Sequence, residues 1–290
     1  MENSGQLFLC ATPIGNLEDI TLRVLRILKE VDLIAAEDTR HTLKLLNHFE
    51  IQKPIVSYHE HNKIEKGEKL IRELKAGKNI ALVTDAGMPG ISDPGADLVR
   101  LCITHDITFT CLPGPVAAIC GLVMSGLCTR RFVFEGFLSA HKKERKQQLE
   151  AIKEDVRTLI FYEAPHKLKT TLTDMLQILG NRNICIAREM TKKFEELIRC
   201  TLQEALALLE QQPLKGEIVL IIEGEDKQSL KQRQYEKWEN IPVAQHIQMY
   251  ISEGLSKKDA MKKVAQDRGV SKREIYAMQV AYIDKKSETT

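Results

Sequence analysis

The stretch Ile80-Ala81-Leu82-Val83-Thr84-Asp85-Ala86-Gly87-Met88-Pro89-Gly90-Ile91-Ser92-Asp93-Pro94-Gly95 decides the fold. Four apolar, β-prone residues stop abruptly in a loop crowded with Gly, Pro and Asp. After Pro94-Gly95 the spacing turns helical, with Ala96, Leu98, Val99, Leu101 and Cys102 apolar. Strand, rigid loop, helix is the geometry that presents ligands beyond the carboxyl ends of a parallel sheet. Pro89 and Pro94 fix φ, while Gly87, Gly90 and Gly95 permit backbone conformations closed to other residues. Ordinary βα turns run about two to six residues. This loop is longer and carries Asp85 and Asp93, so it reads as a ligand-binding corner.

Outward from it, short β-rich runs alternate with helical patterns. Leu7–Ala11, Leu33–Ala36, Ile55–Tyr58, Ile80–Val83 and Thr108–Leu112 read as strands, with helices at Thr21–Lys29, Thr39–Phe49, Glu65–Ala76 and Ala96–Thr104. Such βαβ repetition predicts a largely parallel sheet covered on both faces. Pro113-Gly114-Pro115 marks a hinge, and a second α/β set follows. Its strands are expected at Phe132–Glu135, Thr158–Tyr162, Ile184–Ala187, Leu197–Cys200 and Ile218–Glu223. Its helices are expected at Glu144–Lys153, His166–Leu179 and Leu202–Gln211. The stretch 225–240 has the polar composition of a linker, and Val243–Tyr282 reads as three short helices. The expected organisation is therefore an α/β domain at 1–113, a second at 114–226, a linker at 227–240 and an all-α, helix-turn-helix-like module at 241–290.

The whole chain narrows the function classes. With 42 Lys and Arg against 40 Asp and Glu in 290 residues, net charge says little about nucleic acid, although the distribution is uneven. The seven cysteines form no Cys-x-x-Cys pair and most sit in apolar runs, which predicts reduced, buried thiols in a cytoplasmic protein. The longest apolar segment, Val116–Cys128, falls short of the roughly 20 residues of a bilayer span. No membrane association is expected. His59 and His61 share a strand face but lack an evident third ligand, so no metal is expected either.

Four further corners follow strands. Ala11-Thr12-Pro13-Ile14-Gly15-Asn16-Leu17 occupies the place of a dinucleotide-binding turn without its glycine pattern, and no Walker A motif exists. Glu37-Asp38-Thr39-Arg40 places two acids and an arginine at a strand end, where Asp38 or Thr39 also suits a helix N-cap. Pro113-Gly114-Pro115-Val116-Ala117-Ala118 is a strand-to-helix turn of small residues. Phe161-Tyr162-Glu163-Ala164-Pro165-His166-Lys167 puts an aromatic, an acid and a histidine at one corner.

Together these segments resemble a known family. Thr12-Pro13-Ile14-Gly15-Asn16-Leu17, Ala35-Ala36-Glu37-Asp38-Thr39-Arg40, Asp85-Ala86-Gly87-x-Pro89 and Ser92-Asp93-Pro94-Gly95 begin the match. Leu112-Pro113-Gly114-Pro115, Glu135-Gly136-Phe137-Leu138, Phe161-Tyr162-Glu163-x-x-His166 and Ala187-Arg188-Glu189-x-Thr191-Lys192 continue it in order. The chain resembles, over nearly its whole length, the bacterial ribosomal RNA small subunit methyltransferase I family of the tetrapyrrole-methylase-like class. The resemblance implies two α/β domains with S-adenosylmethionine (SAM) in the cleft between them, and commonly a homodimer. It also implies methylation of a cytidine ribose 2′-hydroxyl in the decoding region of 16S ribosomal RNA, free or in the small subunit.

By position, the resemblance assigns the cofactor to Thr12 and Pro13, to Asp85, Ala86, Gly87 and Met88 with Ile91, Ser92 and Asp93, and to Pro113, Gly114, Ala117 and Ala118. Tyr162, Ala187, Gly216 and Glu217 complete that wall. The family usually has Thr where this chain has Met88, which replaces a hydroxyl with a soft apolar contact. The ribose hydroxyl must lose a proton as the methyl arrives. Glu37, Asp38, Glu163, Glu189 and His166 are candidate acceptors, and Arg40 or Lys192 can stabilise negative charge. The residue types alone do not choose among them.

RNA contacts are expected from the basic turn carrying Lys142, Lys143, Arg145 and Lys146, and from Lys257, Lys258, Lys262, Lys263, Arg268, Lys272 and Arg273 in the tail. Ser256 with Asp259, and Ser271 with Glu274, have the spacing that opens a helix, and Ile275, Met278 and Tyr282 fall on one face. Two other readings share parts of this pattern: a small-molecule corrin or porphyrin methylase, and a nucleic-acid-binding regulator that uses the tail.

Overall fold

The computed structural model describes residues 4–278, apart from the side chains at 231, 233, 234 and 239. All ten expected strands form. The first sheet contains β1 (Leu7–Cys10), β2 (Leu33–Ala36), β3 (Ile55–Ser57), β4 (Ile80–Val83) and β5 (Phe109–Leu112), in the order β3-β2-β4-β1-β5. Every neighbouring pair is parallel. The period-2 alternation of these strands divides their side chains between two cores. Leu7, Leu9, Ala35, Ile80 and Leu82 meet α3 (Lys63–Lys75) and α4 (Gly95–Thr104) on one face. Cys10, Ile34, Ala36, Ala81 and Val83 meet α1 (Leu22–Glu30) and α2 (Thr39–His48) on the other.

That division creates a crevice. The helix after β1 packs on one face and the helix after β4 on the other, although β1 and β4 are neighbours. The loops leaving these two strands must part, and such a switch point is where open α/β sheets bind ligands. Local chemistry fixes the helix starts. The Thr21 hydroxyl accepts from Val24 N–H at 3.1 Å, and the Asp38 carboxylate accepts from Arg40 N–H at 2.8 Å.

The second sheet is mixed. It comprises β6 (Phe132–Phe137), β7 (Thr158–Glu163), β8 (Asn183–Arg188), β9 (Glu196–Thr201) and β10 (Ile218–Ile222), in the order β6-β7-β10-β8-β9. Only the β6–β7 pair is parallel. Its helices α6 (Lys142–Ala151), α7 (Leu168–Leu179) and α8 (Leu202–Gln211) cover one face through Leu149, Leu172, Met175 and Leu202. The apolar helix α5 (Ala117–Ser125) covers the other through Ala118 and Leu122. Gly121 permits this close packing, because a Cβ there would meet Ile221 Cδ1 at 3.1 Å.

Both sheets belong to one compact unit, 1–152 with 157–223; the other unit comprises 153–156 and 224–290. In the second unit the stretch expected to be a linker is helical. Helix α9 (Lys227–Glu239) starts where the Asp226 carboxylate accepts from Ser229 N–H at 2.7 Å. Its composition is that of a solvated helix, which polarity alone does not distinguish from a linker. Helices α10 (Val243–Ser252) and α11 (Lys257–Asp267) and a helical segment at 272–278 enclose Ile247, Ala260, Val264 and Ile275. Ser256 and Ser271 cap as expected, accepting from the N–H of Asp259 and Glu274 at 3.2 Å each. Met278 does not share the buried face of Ile275: it is exposed, and Tyr282 lies outside the described residues.

The cysteines are free, as expected, but not all are buried: Cys111 and Cys128 are exposed. Among the described residues no helix is long and apolar enough to cross a membrane.

Candidate active site

The loops at the switch point are stapled together. Thr12 and Gly87 exchange backbone hydrogen bonds, N to O, at 2.9 and 3.0 Å, and the Thr12 hydroxyl donates to Thr84 O at 3.1 Å. Gly87 has φ +82°, a left-handed conformation that strains residues with a Cβ. The Asp93 carboxylate accepts from the N–H of Gly90 and Gly95 at 2.8–2.9 Å, which closes the loop on itself. The rigidity expected of this stretch therefore has named causes.

A cavity of roughly 400 Å³ opens above these loops. Of the residues expected to hold a cofactor, Asp85, Ala86, Gly87, Met88, Ile91, Ser92, Asp93, Ala117, Tyr162, Gly216 and Glu217 line it. The others stand behind the wall or beside it. Thr12 is buried as the staple, and Ala187 is buried in the core beneath. Ala118 N–H donates to the Tyr162 hydroxyl at 3.3 Å, which fixes that ring. Pro13, Pro113 and Gly114 do not line the cavity. Gly114 allows its loop to lie against β1, since a Cβ there would come 2.5 Å from Ala11 Cβ.

Among the expected catalytic residues, Glu37 and Glu163 reach the cavity lining. Glu37 Oε2 accepts from the Thr84 hydroxyl at 2.5 Å and, weakly, from Asp85 N–H at 3.4 Å. Its Oε1 makes no hydrogen bond to any described residue. Glu163 is buried with both oxygens engaged, by the Thr171 hydroxyl at 2.5 Å and Ala164 N–H at 2.8 Å. Its carboxylate ties the start of α7 to β7. Asp38 is the N-cap of α2 and a two-point ion pair for the exposed Arg40, at 2.7 and 3.1 Å. Hydrogen bonds from Arg40 hold the Asp38 carboxyl well below the usual range. His166 is exposed and does not line the cavity.

At the opposite rim, Lys192 bridges Glu189 at 3.0 Å and Glu217 at 3.1 Å. Burial works against its charge, but these two partners outweigh it and raise its pKa. Glu189 and Thr191 have φ of 51° and 64°, strained values that the packed loop enforces. The Thr191 hydroxyl accepts from Asn16 N–H at 3.1 Å, which locks this rim to the loop after β1.

Carboxylates give the cavity its electrostatic character: Glu37, Asp85, Asp93, Glu163 and Glu217 all line it. Asp85 is exposed, but partial desolvation by the surrounding loop raises its carboxyl pKa, and the nearby Glu37 charge raises it further. Burial likewise raises Asp93. Around these acids the walls are apolar. Ile14, Val116, Met190, Ile218 and Val219 contribute without standing out in the sequence, where they look like ordinary strand-end apolar residues. Phe137, half-exposed, also lines the cavity.

The expected RNA contacts separate into two sets. Lys142, Lys143, Lys257, Lys258, Lys262, Lys263, Lys272 and Arg273 are exposed. Arg145 corrects the expectation. It is 6% exposed, paired with Asp174 at 2.8 Å, and donates to the carbonyls of Ser139 and Ala140. Its guanidinium is consumed inside the fold. Lys146 is partly engaged by Gln177 at 2.8 Å. In the tail, Arg268 donates to His246 Nδ1 and to the Ile241 carbonyl. No cluster of three or more metal-ligating side chains occurs among the described residues.

Residues 6–206 match the family model described as Tetrapyrrole (Corrin/Porphyrin) Methylases. The ribosomal RNA small subunit methyltransferase I of Halalkalibacterium halodurans is 53% identical over 275 residues, 95% of this chain and 94% of that protein. The protein of the same name from Bacillus subtilis is 50% identical over 94% of this chain and 93% of its own length. Among solved structures, diphthine synthase superposes with a TM-score of 0.60 at 14% identity, covering 76% of this chain and 90% of that one. The uroporphyrin III C-methyltransferase of Thermus thermophilus gives 0.56 at 16% identity, covering 75% and 97%. At such identities the two structures speak for the fold alone.

SAM is the cofactor of this family and of this chain. The residues present fit it. A cavity of roughly 400 Å³ is within the range of small-molecule sites. Apolar walls suit the adenosine, and the Asp85 and Glu37 carboxylates suit a ligand that carries a sulfonium and an ammonium. The chain belongs to the tetrapyrrole (corrin/porphyrin) methylases and, among them, to the ribosomal RNA small subunit methyltransferase I family.

Proposed function

We propose that this chain methylates the ribose 2′-hydroxyl of a cytidine in the decoding region of 16S ribosomal RNA. The observation that carries the reading is the match to the small-subunit methyltransferases along nearly the full length of both chains. A corrin or porphyrin methylase would share the cleft but not that match. The exposed lysines of α6 and α11 support an anionic polymer as substrate, because phosphate contacts need accessible cations. The domain boundaries near 113/114 and 226/227 belong to the same proposal, as does a homodimer in the cytoplasm. The exposed Ile119, Val123 and Met124 on α5 supply an apolar face consistent with self-association.

Bound SAM supplies a methyl group already activated on a sulfonium. The protein's own tasks are then to bind, align and remove one proton. Asp85, Met88 and Ala117 would hold the cofactor. Glu37 is the proposed proton acceptor for the ribose hydroxyl: it lines the cavity, and Thr84 and Asp85 hold one oxygen while the other stays available. The hydrogen bonds of Asp38, Arg40 and Glu163 support structural roles for these three, and the ion pairs of Lys192 support a rim-bracing one.

The test offers labelled SAM with small ribosomal subunits, free ribosomal RNA or a tetrapyrrole precursor. Label on either RNA substrate is expected. Label confined to the tetrapyrrole sinks the proposal, and label on none leaves the nucleic-acid-binding regulator in its place.

A further inference from the structure

Phe137 ends β6, and its direction is set by a defect in that strand. The β6–β7 register runs Phe134 opposite Ile160, then Gly136 opposite Phe161 and Phe137 opposite Tyr162, so one extra residue is inserted at Glu135. Gly136 takes φ +67°, the left-handed conformation that such a bulge demands. In a regular strand, residues 134 and 137 would face opposite sides. The bulge cancels that alternation. Both rings meet Tyr162, with centroids 5.0 Å away for Phe134 and 5.5 Å for Phe137.

The two rings end in different surroundings. Phe134 is partly buried in the core under α5, whereas Phe137 is 55% exposed and lines the cavity. Tyr162 behind it is held through its hydroxyl by Ala118 N–H, so the exposed ring rests on a fixed support. Five and six residues further on, Lys142 and Lys143 open α6. Both are exposed and form no ion pair with any described residue. A fixed aromatic face at a cavity mouth, followed closely by free cations, is the pairing that captures unpaired nucleotides. The base stacks on the ring while the cations meet the backbone phosphates.

We propose that Phe137 is the stacking surface for an unpaired base of the RNA substrate at the mouth of the cleft. The proposal rests on the ribosomal RNA reading above and deepens it to a substrate-binding residue. Bulges re-aim side chains beside functional sites, and here the redirected side chain is the exposed aromatic.

The test compares the full-length wild type with Phe137→Ala, Phe137→Leu and Phe137→Tyr. Leu keeps the packing on Tyr162 and removes the π-face, which guards against a folding defect in the Ala variant. Three quantities are measured: binding of a cytidine-containing single-stranded RNA oligonucleotide, kcat/KM for methylation of small subunits, and SAM affinity by calorimetry. Phe137→Ala is expected to weaken oligonucleotide binding and lower kcat/KM by roughly 5- to 150-fold, the usual range for a lost base–aromatic stack. Phe137→Leu should fall in the same direction, Phe137→Tyr should restore both, and SAM affinity should change far less than oligonucleotide affinity in every variant. A parallel loss of SAM affinity would make the ring part of the cofactor wall and overturn the proposal. So would unchanged oligonucleotide binding in Phe137→Ala. A wild type that methylates no ribosomal RNA, with oligonucleotide binding still dependent on Phe137, would sink the functional reading and leave the stacking site standing.

Discussion

At the scale of single residues, Asp85 and Glu37 are two cleft-lining carboxylates held in different settings. Asp85 has a raised pKa, first through partial desolvation and then through Glu37. A carboxyl raised in the folded state favours the native protein below its unfolded pKa, and that advantage is lost as pH rises through the folded value. At neutral pH the ionised Asp85 beside Glu37 is therefore a cost that a cationic ligand relieves. Asp85→Asn should make the ligand-free protein more stable than wild type at neutral pH, with the gap closing in acid below the ordinary aspartate range. The same variant should bind SAM more weakly. Urea titrations at several pH values and calorimetry check the two halves, and unchanged SAM affinity would remove Asp85 from the cofactor site. Glu37→Gln should instead lower kcat by about 10²- to 10⁴-fold, the usual share of a general base, with a smaller effect on SAM affinity. The acidity of the Asp85 corner was legible in the sequence. The separation of Glu37 from Asp38 and Glu163 was not, because it depends on hydrogen-bond partners such as Thr84 and Thr171 that lie 8 or 47 positions away in sequence.

At the scale of elements, hydrophobic periodicity located every strand, since runs such as Ile80–Val83 and Ile218–Ile222 are buried on both faces and carry almost no polar residue. Sheet order is a different matter. Nothing local in β10 says that it inserts antiparallel between β7 and β8. The polar helix α9 read as linker because it lacks an apolar stripe, and only the Asp226 cap hints at its start. Helix α6 carries the clearest correction. In sequence, Arg145 is one of four cations in a basic turn. In the fold it is the buried partner of Asp174, and it also accounts for two carbonyls of the preceding loop. Removing Arg145 leaves the buried Asp174 carboxylate with only the longer contact to Lys146, at 3.7 Å, to offset its charge among the described residues. Arg145→Ala is therefore expected to destabilise the protein by about 3–5 kcal/mol in urea unfolding. An unchanged midpoint combined with weaker RNA binding would return Arg145 to the RNA surface.

At the scale of the whole molecule, the parallel sheet and the mixed sheet share one compact unit whose loops surround the cleft, and a helical unit follows. The strand–loop–helix signature at Ile80–Gly95 was enough to predict a stiff loop between a parallel strand and a helix, since glycine and proline placement constrains backbone directly. What it left open was the substrate. The proposed RNA contacts rest on the exposure of cations and aromatics, and exposure does not follow from periodicity: Lys143 and Arg145 look alike in sequence but are exposed and buried in the fold. The proposed function joins this cleft to one chemical event on ribosomal RNA. Its most direct measurement incubates the wild-type protein with SAM and unmodified small subunits, digests the RNA to nucleosides and identifies the methylated product by mass spectrometry. The expected product is 2′-O-methylcytidine arising from the decoding region, dependent on both SAM and Glu37. A methyl group on a base carbon or nitrogen, or on no nucleoside at all, would contradict it.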